Sequence, residues 1–427
     1  MMSLKNIKNK IKFDKSYKNL SKEGKRKYIK GLLRDTGIHG TTILFGLATI
    51  AILIWMVVYI FTTGAGTLTW EFITSDYNQH SYSLRTPDNF EMPLETFENS
   101  TNAEYFSDKW GVAFDNGTDN LGDEVVYVTH IEDGSPFESL VDSEGNLTPV
   151  DTSYYLSSIT GRDADDHRIR AVGRNGAEEV AANLNEMVLI ETSSFRTKGN
   201  GIRGSLLTTL CLIGLSLLFA LPLGIGAAIY LGVYAKNGPV TKAIRTLIDV
   251  TSGIPSIIFG LAGAVIFMPF VNSMTGSVGG SLYSGALTLA VMLLPTIVKT
   301  TEESIRVIPA SLTQASLALG ASRTQTTFKV VLPNALPGIL TSTLLSIGRI
   351  IGESAALVFA MGTSIGDYVD PTQGNASLAV HIYVILGGET PRYDAACAIS
   401  IIILIVVLVL SLLVKLISLR LNRFKGA

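Results

Sequence analysis

Long apolar runs without charge alternate with short basic segments along this chain. Residues 43–61 form one uncharged run of 19, close to the roughly 20 residues that carry a helix across about 30 Å of hydrocarbon. Trp55 and Tyr59 stand toward its far end, where amphipathic rings suit the membrane interface. Apolar runs resume at 204–235, 250–298, 330–366 and 395–414. Residues 250–298 hold no Asp, Glu, Lys or Arg and are long enough for two helices, broken at the polar stretch 272–281. The pattern therefore predicts six membrane spans. A cleaved signal peptide fits the first run poorly, because the basic region before it is too long and the run exceeds a usual apolar core.

Charge adds the orientation. The formal net charge of −2 conceals a basic tail, residues 1–38, with 12 Lys/Arg against 3 Asp/Glu, and an acidic block, residues 63–203, with 9 against 25. Basic residues also cluster at Lys236, Lys242 and Arg245, at Lys299, Arg306, Arg323 and Lys329, and at Lys415, Arg420, Arg423 and Lys425. Short basic loops stay cytoplasmic, so both termini are expected inside. The acidic block and the loop with Asp367, Asp370 and Asp394 are then expected outside. The N-terminal lysines fit enforcement of topology or contact with anionic lipid better than nucleic-acid binding. Cys211 and Cys397 both fall within spans and read as small core residues, without the loop placement of a disulfide framework. No G-x-x-x-x-G-K-[S/T] and no paired His/Cys cluster occurs, so no nucleotide site, catalytic centre, cofactor or metal site is expected in this chain.

The expected organisation is a cytoplasmic tail (1–38), a first span (39–62), an extracytoplasmic insert (63–203), a five-span domain (204–420) with a cytoplasmic loop at 300–336, and a C-terminal tail (421–427). In that loop Pro309 can open a helix as its first residue. Leu312, Ala315 and Leu319 recur as an apolar stripe, Gly320 suits a left-handed cap, and Ser322 with Gln325 forms a capping box for a second helix. That helix is expected to stop before Pro333. An elbow packed under the bundle and a docking element both fit this pattern.

Gln314-Ala315-Ser316, then Gly320, then Val330-Val331-Leu332-Pro333 resemble the E-A-A-x3-G-x9-I-x-L-P loop of ATP-binding-cassette (ABC) importer permeases, with Gln314, Ser316 and Val330 departing from the usual residues. The segments 294–303, 254–261 and 348–355 resemble permeases of phosphate importers, nearer the PstA than the PstC type. The resemblance covers about residues 204–420. It implies a type I ABC importer permease fold, a homologous PstC-type permease, a PstB-type ATPase dimer that binds ATP and Mg, a PstS-type phosphate-binding protein, and no enzymatic activity in this chain. Gln314, Ala315, Ser316, Gly320, Val330, Leu332 and Pro333 would meet the ATPase.

Arg349 and Glu353 interrupt the fifth run, where an ionised side chain costs at least about 2.5 kcal/mol and must face protein or water. Their i, i+4 spacing would place them on one helix face. A guanidinium fork matches phosphate oxygens, but a structural ion pair fits the residues equally well; the resemblance favours the substrate path. Lys299 suits either snorkelling to the interface or the exit of that path. Asp249 and Arg245 read as a helix-surface pair, and Glu302 and Glu303 as solvated. Within the insert, 125–131 reads as a strand and 177–187 as a short helix. Residues 105–190 resemble, in patches, a bacterial PDZ domain, which would take up a peptide by strand addition; a plain spacer is the alternative. The expected fold is thus an all-α polytopic membrane protein of six transmembrane helices with an α+β insert. Importers of other oxyanions, a PstC-type subunit, and a membrane-anchored sensor remain rival readings.

Overall fold

The computed structural model describes residues 21–93, 96–118, 124–152, 154–236, 238–388 and 391–423. Residues 1–20 and 424–427 of the two expected tails lie outside the described residues. Six helices are long and apolar enough to cross a membrane: α1 (Lys22–Gly64, its apolar part Gly37–Gly64), α4 (Arg203–Tyr234), α6 (Ser256–Thr275), α7 (Leu282–Arg306), α9 (Arg323–Gly352) and α12 (Tyr393–Arg423, apolar to Leu419). Between them lie α2 (Trp70–Thr74), α3 (Ala177–Glu186), α5 (Pro239–Ser252), α8 (Ala310–Ala318), α10 (Ala355–Ala360) and α11 (Leu378–Gly387).

The chain divides into two compact units. The first holds the residues up to Leu68 with Arg392–Ile402. Its helix α1 starts 17 residues before the expected first span, at Lys22, where Ser21 Oγ caps Gly24 N at 3.2 Å. The Lys, Arg and Leu residues that follow are good helix formers, so residues 22–38 of the expected tail are helical. Inside this unit Gly64 lies against the backbone of Cys397 and Ala398, and Thr67 Oγ1 donates to Asp394 Oδ2 at 3.2 Å.

The second unit holds Thr69–Pro391 and the chain from Ile403. Its insert is α+β: strands β1 (Ser81–Leu84), β2 (Tyr105–Ser107), β3 (Val112–Thr118), β4 (Glu124–Ile131), β5 (Tyr155–Arg162), β6 (Arg168–Val172) and β7 (Leu189–Arg196) form one antiparallel sheet. The strand order is β1-β7-β5-β4-β3-β2, with β6 beside β5. Helix α3 lies on the sheet and buries Val180 and Leu184 against Trp110, Phe114, Phe137 and Phe195. Each such side chain taken from water stabilises the insert by about 1.5–3 kcal/mol. The polar tip of Trp110 is satisfied within the core, since Nε1 donates to Met187 O at 3.2 Å. The expected strand and helix are β4 and α3.

The break between α6 and α7 falls where the polar stretch predicts it. Gly276, at φ +72, closes α6 in the left-handed region, and a Ser281–Ser284 capping box opens α7. The run 330–366 is not one helix. It ends at Gly352, and Glu353 turns extended (φ −84, ψ 118) before α10 begins. Cys397 is buried as expected, but Cys211 is exposed on α4 and is no core residue of this chain.

Candidate functional site

Helix α9 carries Arg349 and is fixed against α7 by a close backbone approach. A side chain at Gly338 would collide with Ser304, so these residues share one level. Ile305 packs with Val331, Ala335 and Ile339, while Leu289 and Leu293 share a core with Ile347, Ile350 and Ile351. The two helices are therefore antiparallel. At 1.5 Å per residue Arg349 stands about 16 Å along the axis from Gly338, and Lys299 about 7 Å from Ser304. Arg349 thus lies roughly 9 Å farther along the helix pair from that level than Lys299 does.

One face of α9 is buried in the chain's own core and the other is bare. Ile347, Ile350 and Ile351 point inward, whereas Leu345, Gly348 and Gly352 are exposed. Among the described residues, no atom from outside the helix's own adjacent backbone comes within 4 Å of the place a side chain at Gly348 or Gly352 would take. Arg349 is half-buried at the edge of this face, and its side chain has no ion-pair or hydrogen-bond partner among the described residues. The expected helix-face pairing with Glu353 fails, because the helix ends between them. Glu353 Oε1 instead accepts the Ala356 amide at 3.1 Å and caps α10.

At the other end of α7 the charges are paired. Lys299 Nζ meets Asp249 at 3.0 Å and both are exposed. Arg245, expected beside Asp249, turns to Glu302: Nε lies 2.9 Å from Oε1, and its Nη2 donates to Leu231 O at 3.0 Å. Arg306 Nη2 reaches the same Glu302 oxygen at 2.6 Å. Glu302 is 8% exposed, so it is a buried bridge and not the expected solvated carboxylate. These residues with Ile248 and Glu303 line a cavity of about 160 Å³ that joins α5 to α7.

The loop with the importer-like motif is a hairpin of two short helical segments. Pro309 caps α8 rather than opening it, and Gly320 closes it at φ +86. Ser322 Oγ accepts Gln325 N at 3.2 Å while Gln325 Oε1 accepts Ser322 N at 2.9 Å, the expected capping box. The second helix does not stop before Pro333. It widens into an i→i+5 turn over Thr327–Val331 and continues as α9. Pro333 sits in the first turn after that widening, where its missing N–H is tolerated. Asn334 Nδ2 supplies a donor to Val330 O at 2.7 Å. Ser316 Oγ lies 2.9 Å from Thr326 Oγ1 and ties the hairpin. Gln314, Ala315 and Gly320 are exposed, as are Leu312 (43%) and Leu319 (90%). Val330, Leu332 and Pro333 are half-buried, Leu332 against the Ile305 cluster.

One cluster carries no spacing signal in the sequence. Asp367 Oδ1 accepts Tyr77 N at 2.8 Å and Asn78 N at 3.1 Å, and Oδ2 accepts Asn78 Nδ2 at 3.0 Å. His80 Nε2 lies 3.2 Å from Asp367 Oδ2, and Arg203 Nη2 lies 2.5 Å from Asp76 Oδ1. Burial alone would raise the Asp367 carboxyl, but the bonds from Asn78 and Tyr77 and the nearby His80 outweigh it and hold Asp367 below the usual carboxylate range.

Comparison with known proteins fits this architecture. Residues 220–425 match the model of the binding-protein-dependent transport system inner membrane component. The probable ABC transporter permease YqgI of Bacillus subtilis is 42% identical over 170 residues, 40% of this chain and 56% of that protein. The probable ABC transporter permease YqgH of the same organism is 32% identical over 210 residues, 48% of this chain and 68% of that protein. The phosphate transport system permease protein PstA 1 of Mycobacterium tuberculosis is 35% identical over 184 residues, 43% and 59% of the respective chains. The matched stretch thus spans between about half and two thirds of these relatives. With six apolar helices and this match, the chain is an integral membrane protein and belongs to the inner-membrane permeases of binding-protein-dependent ABC transporters.

Proposed function

We propose that this chain is the PstA-type permease subunit of an ATP-driven phosphate importer and forms half of its translocation path. The observation that carries the reading is Arg349, a guanidinium deep in the membrane region, on the face of α9 that this chain leaves bare, with no carboxylate partner among the described residues. A desolvated guanidinium is costly without a counter-charge, and its planar fork suits the oxygens of a phosphate dianion. The relatives named for phosphate transport support the same substrate.

A homologous PstC-type permease would cover the bare face and add the further donors that selectivity demands. The exposed α8, with Gln314, Ala315, Ser316 and Gly320, would seat in a PstB-type ATPase that holds ATP and Mg. Val330, Leu332 and Pro333 then join that helix stiffly to α9, so that closure of the ATPases moves the Arg349 region. Glu353, as the cap of α10, holds the helix end beside the path, and Lys299 with Asp249 marks its cytoplasmic mouth. Both termini are read as cytoplasmic, and the insert as extracytoplasmic, facing a PstS-type binding protein. The short edge strand β2 lies beside α3, an arrangement that suits PDZ-like strand addition of a peptide.

The test is uptake and binding of labelled phosphate by the assembled complex, with sulfate as competitor. Arg349→Ala is expected to leave subunit assembly intact and to stop uptake; normal uptake by that variant removes the path assignment. Sulfate displacing phosphate at equal concentration would assign the path to another oxyanion.

A further inference from the structure

We propose that Asp76, His80 and Asp367 form a binding site for a transition-metal dication of the zinc class, which fastens the insert to the membrane domain. The three side chains each offer a ligating atom, and these atoms lie within 4.8 Å of one another. His80 Nε2 is 3.2 Å from Asp367 Oδ2 and 3.8 Å from Asp76 Oδ2. Ligands held about 2.1 Å from a tetrahedral zinc ion stand about 3.4 Å apart, so the spacing needs only small adjustments.

The surroundings are built as metal-ligand supports are built. Asp76 is held through its other oxygen, Oδ1, by Arg203. Asp367 is held through Oδ1 by the amides of Tyr77 and Asn78, and Asn78 Nδ2 also touches Oδ2. The His80 backbone N–H donates to Thr197 Oγ1 at 2.9 Å, which fixes the residue that carries the imidazole. Such outer partners orient ligating atoms.

The imidazole and the two carboxylates face one another. His80 Nε2 is shut off from solvent and lies against both carboxylates, 3.2 Å from Asp367 Oδ2 and 3.8 Å from Asp76 Oδ2. A ring nitrogen turned away from water and toward two carboxylates is placed as a metal-ligating imidazole is placed. An imidazole with two carboxylates selects zinc-like ions over calcium or magnesium, which take oxygen ligands. With three protein ligands, a fourth position falls to water. Asp76 and His80 open the insert and Asp367 lies 291 residues after Asp76 in the membrane domain, so one ion would join the two parts.

The experiment uses the purified full chain in detergent, stripped with chelator and dialysed against zinc, with metal content read by plasma mass spectrometry. The expected result is one zinc per chain, retained in excess Mg2+ and Ca2+, with affinity falling at least about tenfold in His80→Gln and in Asp367→Asn. Zinc should raise the Tm of the stripped wild type and leave that of His80→Gln unchanged. Equal zinc content in both variants, displacement by Mg2+, or no retention by the wild type overturns the site. Should a variant fail to fold, Co2+ added to the unmutated chain decides: visible d–d bands of a low-coordinate nitrogen–oxygen site support the proposal, and their absence overturns it.

Discussion

Ser316 Oγ and Thr326 Oγ1 stand 2.9 Å apart and bridge the two helical segments of the exposed hairpin. Serine is the departure from the alanine usual in the importer motif, so the departure itself supplies the bridge. Thr326 is buried, and Thr326→Val keeps its shape while leaving the Ser316 hydroxyl without that partner. The variant should lose about 1 kcal/mol of local stability. Trypsin should then cleave after Arg323 several-fold faster in intact membranes; an unchanged rate would mean that Gly320 and the capping box hold the hairpin alone.

Gly338 has no room for a side chain because Ser304 occupies the space. Gly338→Ala should therefore destabilise the α7–α9 pair by about 1–3 kcal/mol, despite alanine's better helix propensity. Adding Ser304→Gly should restore most of the loss. Thermal melting of the two variants in detergent checks this, and a double variant no better than the single one would place the strain elsewhere.

Glu302 receives two guanidinium groups on one oxygen and is nearly buried. Glu302→Ala leaves Arg245 and Arg306 facing each other across the cavity. Loss of charge-assisted bonds of this kind costs about 1.5–3 kcal/mol. The expected sign is accelerated amide exchange across Pro239–Ser252, with exchange in the insert unchanged.

Glu191 accepts from Arg162 Nε at 2.7 Å and faces Arg168 Nε at 3.1 Å, across β5, β7 and β6. The Arg162 bond, ahead of the charges of Arg162 and Arg168, holds its carboxyl below the ordinary 4.5. A carboxylate depressed on folding adds stability above its unfolded value and loses it as pH falls through the folded one. The insert should therefore weaken below about pH 4.5, and Glu191→Gln should flatten that acid limb of the denaturation curve. An unchanged pH profile in the variant would rule out this contribution.

Much of this architecture is legible as hydrophobic run length. Six spans, the break at 272–281, the Ser322–Gln325 box and the Gly320 turn all depend on local chemistry, which the residues carry with them. Pairings across the chain are not local. Asp249 chooses Lys299, Arg245 chooses Glu302, and Glu353 caps a helix instead of meeting Arg349, because each partner is brought by packing. Pro333 misleads for a related reason: the helix widens just before it, over Thr327–Val331, and runs on past the proline. The cluster around Asp367 draws on residues about 290 positions apart, a distance at which no spacing rule operates.

That separation has a consequence for biogenesis. The core of the insert is drawn wholly from residues 84–195, so its folding needs nothing synthesised later. Asp367 leaves the ribosome 290 residues after Tyr77, a delay of about 15–60 s at ordinary translation rates. During that interval the finished insert waits on its tether, and its clasp to the rest of the molecule closes only once helix α9 has been synthesised.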